Sequence, residues 1–204
     1  MKNFYEEMKE TEVDQAGIMA ARAKIEIEPA YSKVASRLLL DVLYRETMNI
    51  SADSPLLASQ HRKYFKEYLE RGIALHRLSP ALLEFDLDKL SQALQIQRDD
   101  QFSYIGLQTL YDRYFIHDNE QRMETPQIFW MRVAMGLALI EKEQKTKRAI
   151  EFYDLLSSFA FTSSHPYSFQ FRNSTLSTEF LLSFYSNGRP VPHFQNHLRR
   201  CAAL

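Results

Sequence analysis

Three metal-capable side chains near the C-terminus carry the sharpest chemical signal in this sequence. His193, His197 and Cys201 are spaced four residues apart, and on a helix this spacing would align three zinc ligands along one side. A structural zinc site takes four ligands, and the sequence supplies no fourth nearby. Pro190 and Pro192 also precede the set directly, where they oppose helix formation. We therefore expect no metal site.

Basic and aromatic residues alternate in HRKYFKEYLERG, residues 61–72, as they do in proteins that stack single-stranded nucleic acid on aromatic rings. The same segment also fits a purely structural interpretation, because Tyr64, Phe65, Tyr68 and Leu69 form the core-facing stripe of an amphipathic helix. The chain has 25 basic and 26 acidic residues, which gives no general attraction to nucleic acid or to a membrane surface. We expect the stripe to be core.

His117 and Asp118 could form an acid–base pair. Their sequence context, FIHDNE, is equally typical of a polar loop between two helices. The loop is our expectation.

Composition excludes several kinds of chemistry. The 204 residues are 45% hydrophobic and contain one cysteine, so the chain has no intramolecular disulfide and cannot cycle a dithiol. Five glycines occur in neither a dinucleotide-binding nor a P-loop pattern. No secretory signal opens the sequence, and the most apolar window, residues 128–140, is shorter than the roughly 20 residues of a membrane span. We expect a cytoplasmic protein.

Helical spacing dominates residues 5–164. Pro29 suits the first turn of a helix, and Ala35, Leu38, Leu39 and Val42 follow it at i, i+3, i+4 and i+7, which predicts one buried face.

Ser79-Pro80 and Thr125-Pro126 are typical helix starts. After the second start, Trp130 and Leu137 belong to an apolar run that continues on other faces, and this predicts a helix surrounded by its neighbours. A solvated basic stretch, residues 145–148, precedes one more helical face formed by Ala149, Phe152, Tyr153 and Leu156. The helical pattern ends near residue 159.

Composition changes at residue 165. The last 40 residues contain four arginines, no lysine and one acidic residue, a formal +3, whereas the first 164 contain 21 basic and 25 acidic residues, a formal −4. Helical periodicity also stops there, as at a linker, a tail or a foreign segment.

Five phrases between residues 5 and 164 resemble one known family. They are IMAARAKIEIEPAYSKVASRLLLDVLY, LLEFDLDKL, GLQTLYDRYFIHDN, ETPQIFWMRVAMGLAL and AIEFYDLLSSF. In this order they resemble the large, catalytic subunit of class I ribonucleoside-diphosphate reductase. The resemblance implies a mainly α fold, the helical domain of that subunit, over residues 1–164. It also implies that the ATP cone before this domain and the ten-stranded α/β barrel after it are missing here, with an irregular tail over residues 165–204.

After Ser164 the family continues Thr-Pro-Thr-Leu-Phe-Asn-Ser-Gly-Thr-Leu-Arg-Ser-Gln-Leu-Ser-Ser-Cys-Tyr, which this chain does not. Residues 165–182 follow from that run, however, if every codon takes the last base of one family codon and the first two of the next. His165 is then C joined to the AC of Thr, and Arg172 is C joined to the GG of Gly. All eighteen positions fit. We hypothesise one extra nucleotide after the codon of Ser164, which makes the metal-capable tail pattern an artefact of translation.

The resemblance also locates the family's reacting groups. Its substrate-contacting Thr and Ser fall at His165 and Phe180, and one cysteine of its redox pair falls at Leu181. Since an alkyl side chain cannot form a disulfide, we expect no catalytic residue, no cofactor-binding residue and no metal ligand in this chain. We expect a disordered or weakly structured tail and a chain that is inactive alone.

Partners and cofactors are implied only by the family. It uses ATP and dNTP effectors, a metal-radical cofactor in a small β subunit, and a second large subunit. We expect no cofactor in this part of the subunit, doubtful binding of the two subunits, and no nucleic-acid or membrane partner. An alternative from another class is a non-catalytic helical module that binds a reductase subunit.

Overall fold

The computed structural model describes residues 9–141 and 144–160, together with the backbone of residues 185–186 and 189–190. The helices are α1 (Glu10–Arg22), α2 (Tyr31–Met48), α3 (Leu57–Ala74), α4 (Leu87–Ala93), α5 (Tyr104–Arg113), α6 (Pro126–Ala138) and α7 (Lys145–Ser157), with 3-10 helices at Pro80–Glu84 and Ile96–Gln101. The mainly α prediction is confirmed. Within the described residues, no helix is long and apolar enough to cross a membrane.

Two compact units divide the chain. The first unit comprises Met1–Gln60 and Ile96–Pro126, and the second comprises His61–Gln95 and Gln127–Leu204. The predicted domain boundary between residues 164 and 165 lies outside the described residues and stays a prediction.

Helix α2 is the centre of the first unit, since both α1 and α5 pack on it. The predicted start is slightly wrong: Pro29 precedes the N-cap residue Ala30, and the helix begins at Tyr31. Ala35 and Leu39 are buried as predicted, but Leu38 is exposed. The other buried positions of α2 lie beside them on the same helical face; they are Ser36, Leu40, Leu43, Tyr44 and Met48.

The first turn of α2 holds the segment before α5. The Lys33 ammonium donates to the carbonyls of Asp100, Gln101 and Phe102 at 2.9, 3.0 and 3.2 Å. A cation at the end of a 3-10 helix satisfies carbonyls that have no partner inside the helix. The start of α5 is therefore fixed beside the start of α2.

A short hairpin closes the first unit. Strand β1 (His117–Asp118) pairs antiparallel with β2 (Gln121–Arg122). Asn119 turns the chain with φ 54°, a conformation that asparagine tolerates better than most residues.

The second unit has α6 in its core. Its buried residues lie on all sides of the helix, as predicted; they include Ile128, Phe129, Met131, Val133, Ala134, Met135 and Ala138. The predicted start at Thr125-Pro126 is confirmed because α6 begins at Pro126. Ser79 caps only a 3-10 helix, by accepting a hydrogen bond from the backbone N–H of Ala81. This helix is short because α4 begins separately behind the Asp86 cap.

Helix α7 buries the face that its spacing predicts, with Ala149, Phe152, Tyr153 and Leu156 all in the core. The basic stretch that precedes this face is not simply solvated. Lys145 lies 2.6 Å from the Glu84 carboxylate, and Arg148 pairs with Glu151. These cations are only partly solvated because they open the helix beside carboxylates that neutralise them.

In the tail, the structure describes only the backbone of residues 185–186 and 189–190. Strand β3 (Tyr185–Ser186) pairs antiparallel with β4 (Arg189–Pro190). The predicted irregular or disordered tail otherwise lies outside the described residues.

Candidate functional site

The predicted site positions of the tail fall beyond the part of the chain that the structure describes. These positions are His165, Phe180 and Leu181 from the resemblance, and His193, His197 and Cys201 from the metal pattern. Among residues 9–141 and 144–160, no group of three or more His, Cys, Asp or Glu side chains could hold a metal ion.

The basic and aromatic segment of α3 is a core stripe, as predicted. Tyr64, Phe65, Tyr68 and Leu69 are all buried. Bases stack on open ring faces, and buried rings offer none. Single-strand binding by this segment has no structural support.

His117 and Asp118 lie in β1, at the start of the hairpin. The Nδ1 of His117 lies 3.4 Å from the backbone carbonyl of Phe115, and Asp118 accepts a hydrogen bond from Asn119. These local contacts favour the polar-loop interpretation over an acid–base pair.

The first unit contains a cleft between α1 and α5, with α2 as its floor. Its cavity volume is about 1060 Å³. Leu39 and Val42 of α2 line it together with Met19 of α1 and Ile105 of α5. Met19 is 64% exposed and Ile105 is 71% exposed, so this cleft presents apolar surface to solvent. Such surface is typical of a binding groove.

An ion-pair cluster borders the cleft, whose lining includes its members Arg45 and Asp14. The Arg45 guanidinium lies 2.7 Å from Glu10, 2.8 Å from Asp14 and 3.0 Å from Asp41. The hydrogen bond with Asp14 and the surrounding carboxylates raise the pKa of Arg45. The cluster fixes the first turns of α1 against the last turns of α2 and leaves an excess of negative charge there.

Asp41 is held by groups from two directions. Burial alone would raise the pKa of its carboxyl, but the Ala52 N–H, the Ser51 hydroxyl and the Arg45 charge together lower it. The Ala52 N–H donates at 2.8 Å and the Ser51 hydroxyl at 3.0 Å. The carboxylate therefore also fixes the loop that follows α2.

Glu46 joins three elements at the same end of the first unit. Its carboxylate accepts hydrogen bonds from the Tyr111 hydroxyl at 2.8 Å and from the Arg122 backbone N–H at 2.5 Å. Its backbone carbonyl accepts from the Gln121 amide at 2.7 Å. Burial and the Glu46 carboxylate raise the pKa of Tyr111 to about 12. Helix α2, helix α5 and the hairpin are thus fixed to one another.

The chemistry of the cleft suits binding. Its described lining contains no histidine and no cysteine, so it offers neither the usual general base nor a thiol nucleophile. Sequence reasoning missed this cleft. The available signal was an apolar residue about one helical turn from polar ones, Met19 from Gln15 and Arg22 and Ile105 from Gln108 and Thr109. Helical periodicity alone does not distinguish this pattern from the edge of a core.

Comparisons with known proteins find similarity to one family. The model of the ribonucleotide reductase all-alpha domain matches residues 100–174. A ribonucleoside-diphosphate reductase subunit alpha of Chlamydia pneumoniae is 52% identical over 181 residues, which are 88% of this chain and 17% of the relative. Its counterpart in Helicobacter pylori strain 26695 is 38% identical over 159 residues, 76% of this chain and 19% of the relative. The chain thus spans less than a fifth of the length of these relatives.

The matches extend past Ser164. The family model ends ten residues later, at residue 174. An alignment over 88% of the chain leaves out fewer residues than the 40 that follow Ser164, so the Chlamydia pneumoniae match also enters the tail. Recognisable similarity therefore does not end at Ser164, where the family phrases had placed its end. Any explanation of how the tail sequence arose must therefore allow for similarity to the family that continues past Ser164.

Proposed function

We propose that this chain belongs to the large-subunit family of ribonucleoside-diphosphate reductases and contributes the all-α domain of such a subunit. The observation that carries this proposal is 52% identity over 181 residues. The helical fold supports it, because the matched family domain is all-alpha. In the complete enzyme, the expected reaction is the reduction of ribonucleoside diphosphates to 2′-deoxyribonucleoside diphosphates for DNA synthesis.

We further propose that these 204 residues do not catalyse the reduction alone. By resemblance, a cysteine pair supplies two electrons to the sugar as it becomes a disulfide. This chain has a single cysteine, and one sulfur cannot form an intramolecular disulfide. By the same resemblance, one position of the pair falls at Leu181.

A shift of reading frame after Ser164 is our proposed cause of the altered tail. The shifted frame accounts for eighteen successive residues without a gap. In-frame divergence is the competing explanation, because the run from Phe171 to Leu176, FRNSTL, shares five residues in order with the family's Phe-Asn-Ser-Gly-Thr-Leu. That partial likeness would also let an alignment continue past Ser164.

Sequencing the locus through the codons of Ser164 and His165 separates the two explanations. A frameshift requires the family sequence one base away, continuing in that frame beyond the tail. A locus in which neither neighbouring frame encodes the family sequence would refute the frameshift and leave in-frame divergence.

Cofactors and partners of the complete enzyme follow from the family. We expect ATP and dNTP effectors, a small β subunit with a metal-radical cofactor, and a second large subunit to act there, and a location in the cytoplasm. We assign none of these sites to the 204 residues. Nucleic acid and membranes are not among the expected partners.

The cleft favours a second candidate function, a helical module that binds a reductase subunit without catalysis. The exposed side chains of Met19 and Ile105 support it. A pull-down with purified small subunit and full-length large subunit tests this function. Capture that the paired substitution Met19→Ser and Ile105→Ser abolishes would support the module, and no capture of either subunit would refute it.

Exposed apolar surface also favours non-specific association between copies of the chain. We expect poor solubility or dye binding from residues 1–164 and from residues 1–204. Two compact monomers by sedimentation, neither of which binds a hydrophobic dye, would refute this expectation.

A further inference from the structure

Three helices of the first unit form the walls and the floor of the cleft. Arg45, in the last turn of α2, pairs with Asp14 in the first half of α1, so α1 runs antiparallel to α2. Helix α5 begins beside the beginning of α2, where the Tyr104 N–H donates to the Ser32 hydroxyl at 3.1 Å. The cleft lies between α1 and α5 and follows α2 toward its C-terminal end.

The middle of the cleft is apolar, and its walls are helical. Met19 and Ile105 lie on opposite walls and are mostly exposed. The backbone N–H and C=O groups of both walls bond within their own helices, so the walls offer no edge to an extended strand. The stretch of α5 that lines the cleft, residues 104–113, is about 14 Å long, or roughly two and a half helical turns. An amphipathic helix of that length fits this geometry best.

The end of the cleft beside the end of α2 is acidic. The carboxylates at this end belong to Glu10, Asp14, Asp41, Glu46 and Asp112, and the guanidinium groups belong to Arg45, Arg113 and Arg122. The carboxylates therefore outnumber the cations. At the opposite end, one cation, Arg22, and one carboxylate, Glu26, balance each other. Charge complementarity favours a partner that brings cationic side chains to the acidic end.

Two of these carboxylates are bound only by neutral donors among the described residues. Asp112 is exposed and accepts a hydrogen bond from the Gln108 amide at 2.9 Å. Glu46 accepts from the Tyr111 hydroxyl and from the backbone N–H of Arg122. A cation from outside the chain can therefore pair with either carboxylate and leave the ion pairs of Arg45 intact.

We propose that the cleft binds a basic amphipathic helix of a partner protein. The apolar face of that helix lies between Met19 and Ile105, and its lysine or arginine side chains pair with Asp112 and Glu46. This inference rests on the proposed binding function of the cleft and adds the chemistry of the partner, which is helical, apolar on one face and cationic at one end.

The probe is a fluorescein-labelled synthetic helix of leucine and lysine, and its control is the same helix with glutamate in place of lysine. Fluorescence anisotropy measures the binding of each helix to the full chain. Ile105→Ser removes apolar surface from one wall, and Asp112→Lys reverses a charge at the acidic end. The matched controls lie in the same unit outside the cleft lining. They are Leu56→Ser, because Leu56 is 65% exposed, and Asp53→Lys, because Asp53 is exposed.

We expect the parent chain to bind the lysine helix and not the glutamate helix. Ile105→Ser and Asp112→Lys should each weaken this binding about tenfold, whereas Leu56→Ser and Asp53→Lys should leave it unchanged. Equal binding of the two helices, no binding of the lysine helix, or an equal loss in the control variants would overturn the proposal. Dimers of the parent by sedimentation that Ile105→Ser dissociates would also overturn it, since a second copy would then occupy the cleft. The measurement uses no reductase subunit, so its failure is distinct from a failure of the pull-down or of the family assignment.

Discussion

The buried imidazole of His61 should make the folded chain sensitive to mild acid. His61 is 1% exposed, and burial, with a smaller contribution from the charge of Arg62, lowers its pKa from 6.5 to about 3. Below pH 6.5 the unfolded chain therefore binds a proton that the folded chain does not take up until about pH 3. Since the unfolded state binds more protons in this window, the free energy of unfolding decreases as the pH falls from 6.5 toward 3.

The magnitude is set by the two pKa values. One unit of pKa difference corresponds to about 1.4 kcal/mol, so moving from pH 7.5 to pH 5.5 should cost about 1.4 kcal/mol of stability through this residue alone. Urea unfolding followed by the fluorescence of Trp130 measures this loss at each pH. We expect His61→Gln to remove about 1.4 kcal/mol of the pH dependence, whatever it does to stability at pH 7.5.

The matched control is His76→Asn. His76 is exposed and has φ 54°, a conformation that asparagine tolerates. This variant should keep the full pH dependence of the parent. If His61→Gln and the parent lose the same free energy between pH 7.5 and pH 5.5, the buried neutral imidazole is not responsible and the reasoning is wrong.

Three further predictions concern stability, each measured by urea unfolding at pH 7.5. A Cβ added at Gly72 would lie 2.5 Å from the Leu78 side chain, so Gly72→Ala should destabilise the protein by about 1–3 kcal/mol. The control is Gly17→Ala, whose Cβ would make only an ordinary contact at 3.7 Å and which should stabilise the protein by up to about 1 kcal/mol. Equal effects of the two substitutions would contradict the packing argument. Ser36 is buried with no hydrogen-bond partner for its hydroxyl among the described residues, so Ser36→Ala should be neutral or stabilising by about 1 kcal/mol, and a clear loss would reveal a partner. Arg45→Met should destabilise by about 1–2 kcal/mol by removing the cation that three carboxylates share, and the loss should shrink at high salt if the effect is electrostatic.

Much of the fold could be predicted from local sequence. The Thr125-Pro126 start and the apolar run after it predicted α6 correctly, because a helix that is apolar on several faces has few alternatives to burial. The spacing of Phe152, Tyr153 and Leu156 likewise predicted the buried face of α7. These patterns involve residues close together in the sequence, so they predict a helix and its buried face without knowledge of which helices pack against it.

The errors came from tertiary context. Leu38 has the spacing of a core residue and its side chain would meet a Cβ on Gly17 of α1 at 3.7 Å, yet it is 39% exposed, because α1 covers it only in part. The cleft was missed for the same reason, since nothing local distinguishes Met19 as exposed. The division of the helical region into two compact units also depends on contacts between distant segments, which periodicity does not report.

We propose that this chain has the all-α fold of a reductase domain but, with a single cysteine, lacks the sulfur chemistry of the reductase. The most direct measurement incubates the purified 204-residue chain with a ribonucleoside diphosphate, a dithiol reductant and the small subunit of a related reductase, and assays the products by chromatography. We predict no deoxyribonucleoside diphosphate above a control without the chain. Sustained formation of that product by the 204 residues would contradict the claim.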